Sequence, residues 1–202
     1  MTSFQGKVIA ITGGASGMGL ATAQLLASRG ALISLGDIDG GALAAAVESL
    51  PDSPKHLATV VDVRDGGAVD GWIAATVRAL GRLDGAVNMA GVIARAAPVR
   101  DARDEDWDAA FAVNAKGVFN CVRAQLRAMG PGGSIVSAAS VFGQFGAAGN
   151  AAYCASKAAV IGLTRTAAKE NQHIRVSEEF PLNYDLKDPS TLPCLRVKTR
   201  RM

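Results

Sequence analysis

Aromatic residues are scarce in this sequence: they make up 5% of its 202 residues, against a hydrophobic fraction of 49%. Many small apolar residues and few rings are typical of helices packed closely on a sheet, and they argue against a disordered chain. An excess of charge is also missing. The 21 basic and 18 acidic residues give a formal net charge of +3, and four of the basic residues lie in the last seven positions. A basic surface that could bind nucleic acid is therefore not indicated.

Cysteine and long apolar runs are limited as well. Cys121, Cys154 and Cys194 are odd in number and widely spaced, so they indicate neither a disulfide framework nor a metal site. No apolar run approaches the roughly 20 residues that span a bilayer, and the N-terminus lacks the basic and apolar regions of a signal peptide. We therefore expect a cytoplasmic protein with no nucleic-acid partner and no membrane partner.

Short apolar runs alternate with longer amphipathic stretches along the chain. The predicted strands are 7–12, 31–37, 57–62, 83–88, 134–140 and 174–176, and the predicted helices are 18–29, 41–50, 66–80, 104–129 and 150–170. Runs such as VIAIT and SIVSA are apolar on both faces, which favours a parallel sheet buried on both sides. The sequence therefore predicts an α/β fold with a doubly wound parallel sheet of about six strands.

A glycine-rich turn, TGGASGMG, separates the first predicted strand from the first helix. Gly13, Gly17 and Gly19 permit a tight turn, a close approach of backbone to a pyrophosphate, and close packing of the helix. The helix N-terminus adds free N–H groups and the positive end of its dipole. A plain strand–helix turn explains the same glycines, because a lone glycine motif has low specificity.

The second predicted strand ends at Asp37, 18 residues after Gly19. A carboxylate at this distance can accept hydrogen bonds from the adenosine ribose, and it would repel a 2′-phosphate. No lysine or arginine follows within several positions, so the charge pattern favours NAD over NADP. Asp39 is the rival acceptor, although its position before an apolar helix suits an N-cap.

Two further strand ends carry polar or small residues. Asp62 closes the third strand and could reach the adenine edge, or simply cap the strand end. Asn88 closes the fourth strand, and Ala90 and Gly91 after it would let the cofactor ribose lie against the backbone. A plain turn explains the last three almost as well.

Tyr153 and Lys157 stand four residues apart in AAYCASKAAV and so share one face of a predicted helix. A phenol is a poor base because its unperturbed pKa is near 10, and an adjacent ammonium favours the phenolate. Ser140 ends a strand 13 residues earlier and could hold a substrate oxygen while the tyrosine exchanges its proton. Asn114 lies inside the predicted helix 104–129, where an amide needs a function or solvent. A satisfied serine and a solvated asparagine are the alternatives.

Taken together, TGGASGMG, NMAG, Asn114, Ser140 and YCASK resemble the short-chain dehydrogenase/reductase family, in the same order and spacing over about residues 4–176. The resemblance implies a Rossmann-type fold, a nicotinamide cofactor (NAD or NADP), and hydride exchange between a secondary alcohol and a ketone. Met89 departs from the family pattern, which usually has a second asparagine there.

The resemblance also implies roles for single residues. Tyr153 would be the general acid/base, Lys157 would bind the ribose and favour the phenolate, Ser140 would orient the substrate, and Asn114 would hold a water in a proton relay. The implied cofactor-binding set is Gly13, Ser16, Gly17, Met18, Gly19, Asp37, Asp62, Val63, Asn88, Ala90 and Gly91, together with Tyr153 and Lys157.

The substrate and the partners are less well defined by the sequence. Val92, Ile93, Phe142 and Phe145 lie in loops that should flank the pocket, and they favour a small hydrophobic alcohol or ketone, although core packing explains them equally. The family resemblance implies a homodimer through helices 104–129 and 150–170.

The C-terminus is predicted to be truncated and atypical for the family. Residues 177–202 contain nine charges, three prolines and no glycine, whereas the chain has 23 glycines. We predict a catalytic domain over 1–176 and a divergent, poorly ordered tail over 177–202, without a seventh strand or substrate lid unless CLRVK forms a short strand. Three hypotheses follow: an active oxidoreductase, an inactive cofactor-binding scaffold or partner subunit, and an unstable product of altered splicing or frame.

Overall fold

The computed structural model describes residues 3–180, which form one parallel sheet with helices on both faces. The strands are β1 (Val8–Thr12), β2 (Leu32–Asp37), β3 (Leu57–Val60), β4 (Gly85–Asn88), β5 (Ser134–Ala138) and β6 (Arg175–Glu179). They lie in the order β3-β2-β1-β4-β5-β6, and every neighbouring pair is parallel. The predicted six-stranded doubly wound fold is confirmed.

The helices connect these strands and set the positions of the loops. They are α1 (Gly17–Ala27), α2 (Gly40–Glu48), α3 (Gly66–Leu80), α4 (Asp104–Ala110), α5 (Val118–Ala128), α6 (Phe142–Phe145) and α7 (Ala151–Glu170). A π-helical segment, Phe111–Gly117, joins α4 to α5, and 3₁₀ turns lie at Ser53–Lys55 and Val99–Asp101. Within residues 3–180, none of the helices is long and apolar enough to cross a membrane.

The apolar strands explain why the sheet lies at the centre of the fold. All five residues of β1 are buried, so this strand supplies side chains to a hydrophobic core on each face. One core packs α3, α5 and α7 against the sheet around Trp72 and Ile135. The other packs α1 and α2 around Ile33 and Leu35.

Two helix predictions differ from the structure. The predicted continuous helix 104–129 contains a wider π-helical turn between α4 and α5, and such turns often occur at functional sites. The four-residue helix α6 lies in a segment predicted as a loop. Strand β6 runs to Glu179, so the sheet extends past position 176. The rest of the predicted tail, including CLRVK, lies outside the described residues.

The strand order creates a crevice where ligands bind in folds of this type. From β1 the chain proceeds outward through β2 and β3, and it then returns to β4 on the other side of β1. The connections that leave β1 and β4 therefore diverge to opposite sides at the carboxyl edge of the sheet. The glycine-rich turn follows β1, and residues 89–91 follow β4, so both lie at this crevice.

Candidate active site

A cleft of about 360 Å³ opens at this crevice. Ten residues of the predicted cofactor-binding set line it: Gly13, Ser16, Gly17, Met18, Gly19, Asp37, Asp62, Val63, Ala90 and Gly91. The lining also includes Ile38 and Val61, which extend its apolar part near the ends of β2 and β3. The structure therefore brings residues that are distant in the chain, and that the sequence predicts to bind the cofactor, around one cavity.

The glycine-rich turn is held against the segment after β4. Gly13 has a φ of 64°, and a Cβ there would lie 2.9 Å from the backbone nitrogen of Ala90. The hydroxyl oxygen of Thr12 accepts hydrogen bonds from the backbone N–H groups of Met89 at 3.1 Å and Ala90 at 3.2 Å. The two backbone segments thus lie closer together than a side chain at position 13 would permit.

Helix α1 begins directly behind this turn. Ser16 is its N-cap residue in an extended conformation, and no acidic residue stands in the first turn. Unpaired N–H groups and the positive end of the dipole therefore face the cleft, an arrangement that favours phosphate groups. A Cβ at Gly19 would fall on the carbonyl oxygen of Gly13 and 2.8 Å from its carbonyl carbon, so glycine is required for the helix to start here.

We expect Gly19→Ala to weaken NADH binding at least about 10-fold and to destabilise the fold by about 1–3 kcal/mol, because overpacking forces backbone to move. Gly71→Ala is the matched control, since position 71 also lies inside a helix and a Cβ there meets nothing within 4 Å. Alanine should stabilise that helix by up to about 1 kcal/mol. Thermal unfolding and NADH titration measure both variants. Equal changes in stability and NADH affinity at positions 19 and 71 would show that the close contact between Gly19 and Gly13 is not the cause.

Two carboxylates line the cleft where β2 and β3 end. Asp37 at the end of β2 accepts a hydrogen bond from the backbone N–H of Ala15 at 3.0 Å. Asp62 is paired with the guanidinium of Arg64, whose Nε lies 2.8 Å and whose Nη2 lies 2.6 Å from Oδ2. The hydrogen bonds from Arg64 hold the pKa of the Asp62 carboxyl below its usual value. Asp62 therefore faces the cleft as a carboxylate that already has a cationic partner.

Lys157 is the buried cation of the site. Its side chain lies on α7 with 4% of the residue exposed, and Nζ donates to the carbonyl oxygen of Ala138 at 2.7 Å. Burial lowers the pKa of Lys157 to about 8. The ammonium lies 5.8 Å from the centroid of the Tyr153 ring. A positive charge is thus fixed beside the phenol by a strand carbonyl rather than by a carboxylate.

The Tyr153 ring also packs against α6. Phe142 meets it edge to face, with ring centroids 6.4 Å apart and an interplanar angle of 89°. Gly143 lets α6 approach the backbone of α7, because a Cβ there would lie 2.8 Å from the carbonyl carbon of Lys157. Ser140 precedes this helix, is buried, and accepts a hydrogen bond from the backbone N–H of Phe142 at 3.2 Å. The serine, tyrosine and lysine therefore belong to one packed unit.

Asn114 is buried in the π-helical segment rather than solvated, which resolves one of the alternatives left open by the sequence. Its amide oxygen accepts from the backbone N–H of Val92 at 2.8 Å, and its amide nitrogen donates to the carbonyl oxygen of Val92 at 2.9 Å. The same nitrogen donates to the hydroxyl of Ser156 at 3.0 Å, and Ser156 donates to the carbonyl oxygen of Tyr153 at 2.8 Å. Asn114 thus connects the loop after β4 to the helix that carries the tyrosine.

Gly91 lies between the cleft and the side chains of Asn114 and Lys157. It lines the cleft, and a Cβ at this position would lie 3.2 Å from Asn114 Oδ1 and 3.5 Å from Lys157 Nζ. The ammonium and the amide therefore lie next to Gly91, although neither Lys157 nor Asn114 lines the cleft itself. Tyr153 does not line this cleft; it lines a second cavity with Trp107 and Asn150, and its ring lies near the Lys157 ammonium.

Comparison with known proteins decides the family. A family model described as short chain dehydrogenase matches residues 7–181. The chain belongs to the short-chain dehydrogenase family. It is 48% identical over 183 residues to the short-chain dehydrogenase/reductase ABA4 of Pyricularia oryzae, a match that covers 87% of this chain and 68% of that protein.

Solved structures of this family agree with the fold. Carveol dehydrogenase from Mycobacterium avium, in complex with NAD, superposes with a TM-score of 0.85 at 34% identity, over 90% of this chain and 72% of that one. A short chain dehydrogenase from Burkholderia cenocepacia J2315, in complex with NADP, superposes with a TM-score of 0.83 at 34% identity, over 89% of this chain and 75% of that one. Both nicotinamide cofactors therefore occur among the structural neighbours of this short-chain dehydrogenase.

Asn88, like Tyr153 and Lys157, is a predicted cofactor residue of the short-chain dehydrogenase that does not line the cleft. It is buried and exchanges two hydrogen bonds with the amide of Gln125, at 2.7 and 3.1 Å, with a third to the hydroxyl of Ser137 at 3.3 Å. It thereby fixes the end of β4, from which residues 89–91 enter the cleft. A direct contact between Asn88 and the cofactor stays a prediction.

Three supporting residues of the short-chain dehydrogenase have no role predicted from the sequence, although Thr12 and Ser156 lie within the motifs TGGASGMG and YCASK. Thr12 could have been found as a polar side chain at the end of an apolar strand, in the same position as Asp37. Ser156 lies between Tyr153 and Lys157, but a serine inside a helix gives no signal by itself. Gln125 is fully buried, and only the tertiary fold shows that it pairs with Asn88.

Proposed function

We propose that this short-chain dehydrogenase is an NAD-dependent oxidoreductase that interconverts a secondary alcohol and a ketone. The observation that carries the proposal is the position of the Lys157 ammonium, which lies beside Gly91 of the cleft and 5.8 Å from the centroid of the Tyr153 ring. A phenol and an ammonium held together can exchange a proton with an oxygen, and the cleft provides space for a group that exchanges the hydride.

The residues present fit a dinucleotide. The close approach at Gly13 and Gly19 leaves backbone exposed to a pyrophosphate, and the N-terminus of α1 offers N–H groups without a competing carboxylate. Asp37 would accept from the adenosine ribose, and Lys157, from its position beside Gly91, would donate to the nicotinamide ribose. The bound nicotinamide would supply the hydride acceptor or donor.

The proton chemistry falls to this chain's own side chains. Tyr153 would remove the hydroxyl proton of the alcohol, or return it to the ketone, at its phenol oxygen. The Lys157 ammonium favours the negative charge that develops on that oxygen. Ser140 would orient the substrate oxygen, and Asn114 would keep the helix of Tyr153 in register with the loop after β4.

The preference for NAD rests on charge at the adenosine end of the cleft. Asp37 lines the cavity, and a carboxylate there would lie close to the 2′-phosphate of NADP and repel it. Arg64 is the basic residue closest in sequence to the lining carboxylates, and it is already paired with Asp62. Together these features support NAD as the preferred cofactor.

The substrate is proposed to be small and hydrophobic. Phe142 contacts the ring of Tyr153, while Ile93 and Phe145 are 73% and 54% exposed and so available to an apolar molecule. Val92 lines the cleft itself. The name of the structural neighbour carveol dehydrogenase is consistent with oxidation of an alcohol in this family.

Binding and turnover test this proposal separately. Titration with NADH and NADPH should give tighter binding of NADH, and incubation of NAD with a panel of hydrophobic secondary alcohols should produce NADH. Binding of NADH without turnover of any alcohol or ketone would favour the inactive scaffold. Failure to bind either cofactor would reject the oxidoreductase and favour the unstable product.

We also propose a homodimer in the cytoplasm, formed through α4, α5 and α7. Trp107 on α4 and Phe119 on α5 are each 44% exposed, and α7 exposes the small residues Ala158, Ala159 and Gly162. Exposed apolar groups on these three helices are typical of a surface that pairs with a second copy. Sedimentation equilibrium of the full chain distinguishes a dimer from a monomer.

A further inference from the structure

The glycine-rich turn is attached to the end of β2 by two successive backbone N–H groups. Gly14 donates to the carbonyl oxygen of Gly36 at 3.3 Å, and Ala15 donates to the Asp37 carboxylate at 3.0 Å. Both donors lie in the middle of the turn, between Gly13 and Gly17. The first attachment uses backbone and is independent of sequence, whereas the second depends on the side chain at position 37.

The Asp37 carboxylate is itself fixed in orientation. Oδ2 accepts from Ala15, while Oδ1 accepts from the backbone N–H of Asp39 at 3.2 Å. Asp39 in turn caps α2 by accepting from the N–H of Ala42 at 3.0 Å. A carboxylate can accept about four hydrogen bonds, so these two leave capacity for ribose hydroxyls.

The bond to Ala15 is difficult to replace. Ala15 is 8% exposed, so water has little access to its N–H group if the carboxylate is removed. A buried donor without a partner tends to turn toward another acceptor or toward solvent, and here the peptide that would turn lies in the pyrophosphate-binding segment. The shape of the turn therefore depends on the residue that would also contact the ribose.

We propose that Asp37 is a positioning residue for the glycine-rich turn, holding it ready for a pyrophosphate through Ala15, in addition to accepting from the ribose. The nucleotide part of this inference rests on the proposed function. It follows that Asp37→Ala would weaken NAD without producing good binding of NADP, because the pyrophosphate cradle loosens for both.

Nucleotide analogues separate the two roles of Asp37. ADP carries the ribose hydroxyls, whereas 2′,3′-dideoxy-ADP lacks them and keeps the pyrophosphate. Positioning of the turn predicts that Asp37→Ala weakens both ligands by about 10-fold or more. Asp37→Asn, whose amide oxygen can still accept from Ala15, should bind dideoxy-ADP within about threefold of wild type. If Asp37→Ala binds dideoxy-ADP as well as wild type does, Asp37 acts on the ribose alone and the inference is wrong.

Asp39→Ala is the matched control for charge, because it removes a carboxylate two residues away without touching Ala15. Asp39→Ala should leave the ratio of the affinities for ADP and 2′,3′-dideoxy-ADP unchanged. If Asp39→Ala weakens dideoxy-ADP binding more than Asp37→Ala does, the loss of affinity comes from the removed charge and the inference is wrong.

Hydrogen exchange in the cofactor-free protein tests positioning without any ligand. The Ala15 amide should exchange about 10-fold faster or more in Asp37→Ala than in wild type, with Asp37→Asn in between and the amides of β1 unchanged. Unchanged protection of Ala15 would overturn the inference even if the chain binds NADH. Faster exchange in a chain that binds no nucleotide would reject the proposed function and leave the positioning role standing.

Discussion

Tyr153→Phe is expected to lower turnover at least about 1,000-fold while the affinity for NADH stays within about threefold of wild type. General acid–base catalysis contributes about 100- to 10,000-fold, and phenylalanine removes the proton-exchanging group completely. A 1,000-fold loss corresponds to about 4 kcal/mol of transition-state stabilisation.

Cofactor affinity should survive because the contacts through which Tyr153 packs against its neighbours involve its ring and its backbone. The ring meets Phe142 edge to face and lies near the Lys157 ammonium, and the backbone carbonyl accepts from Ser156. Phenylalanine keeps all three. Stopped-flow turnover and fluorescence titration with NADH measure the two quantities on the same sample.

Ser140→Ala provides the internal comparison for Tyr153→Phe. If the two residues act as a unit on one substrate oxygen, the double variant should lose little more than Tyr153→Phe alone, since such effects are not additive. If the loss of turnover in the double variant equals the product of the two single losses, Ser140 and Tyr153 act independently. Tyr153→Phe with wild-type turnover would contradict the acid–base assignment.

The sequence predicts those parts of the site that depend on local pattern. Apolar runs locate the ends of the strands, and the carboxyl ends of parallel strands share one edge of the sheet, so Asp37 and Asp62 are predicted to lie at the cleft that they line. The spacing of Tyr153 and Lys157 fixes their common helical face in the same way. In each case the relevant geometry follows from one element and its ends.

Other features depend on contacts between distant segments and could not be predicted. The amide of Asn114 has its partners on Val92 and Ser156, which lie 22 and 42 residues away in the chain. The π-helical turn that carries it has no periodicity distinct from that of an α-helix over so short a segment. The same is true of the Asn88–Gln125 pair, which removes Asn88 from the cleft lining.

Burial of Lys157 indicates that this candidate site is maintained at a cost in stability. The folded protein holds the ammonium away from water with a carbonyl, rather than a carboxylate, as its hydrogen-bond partner. Its pKa falls from 10.5 to about 8. A fall of this size lowers the free energy of unfolding by roughly 3 kcal/mol at any pH where Lys157 is charged in both the folded and the unfolded chain. Such costs are common where function needs a group that packing disfavours.

Lys157→Met should therefore abolish turnover and, at pH 7, make the cofactor-free protein more stable. Methionine fills a similar volume without charge, and the gain of roughly 3 kcal/mol is offset by about 1 kcal/mol for the hydrogen bond lost by Ala138. A net gain of about 2 kcal/mol corresponds to a rise in Tm of about 4–8 °C for a chain of this size. Differential scanning calorimetry measures the rise.

The pH dependence of this gain gives the sharper test. Below about pH 8 the lysine is charged in both states, so the variant has its full advantage. Between about pH 8 and 10.5 the folded protein loses the Lys157 proton while the unfolded chain keeps it. The stability of the wild type therefore rises with pH over this range, and the difference in stability between Lys157→Met and wild type becomes smaller. Lys169→Met, at an exposed position of the same helix, should change stability by less than about 0.5 kcal/mol and show no such closure. If Lys157→Met is less stable at pH 7, or if its gap to wild type does not narrow above pH 8, then the buried ammonium is not the source of the cost.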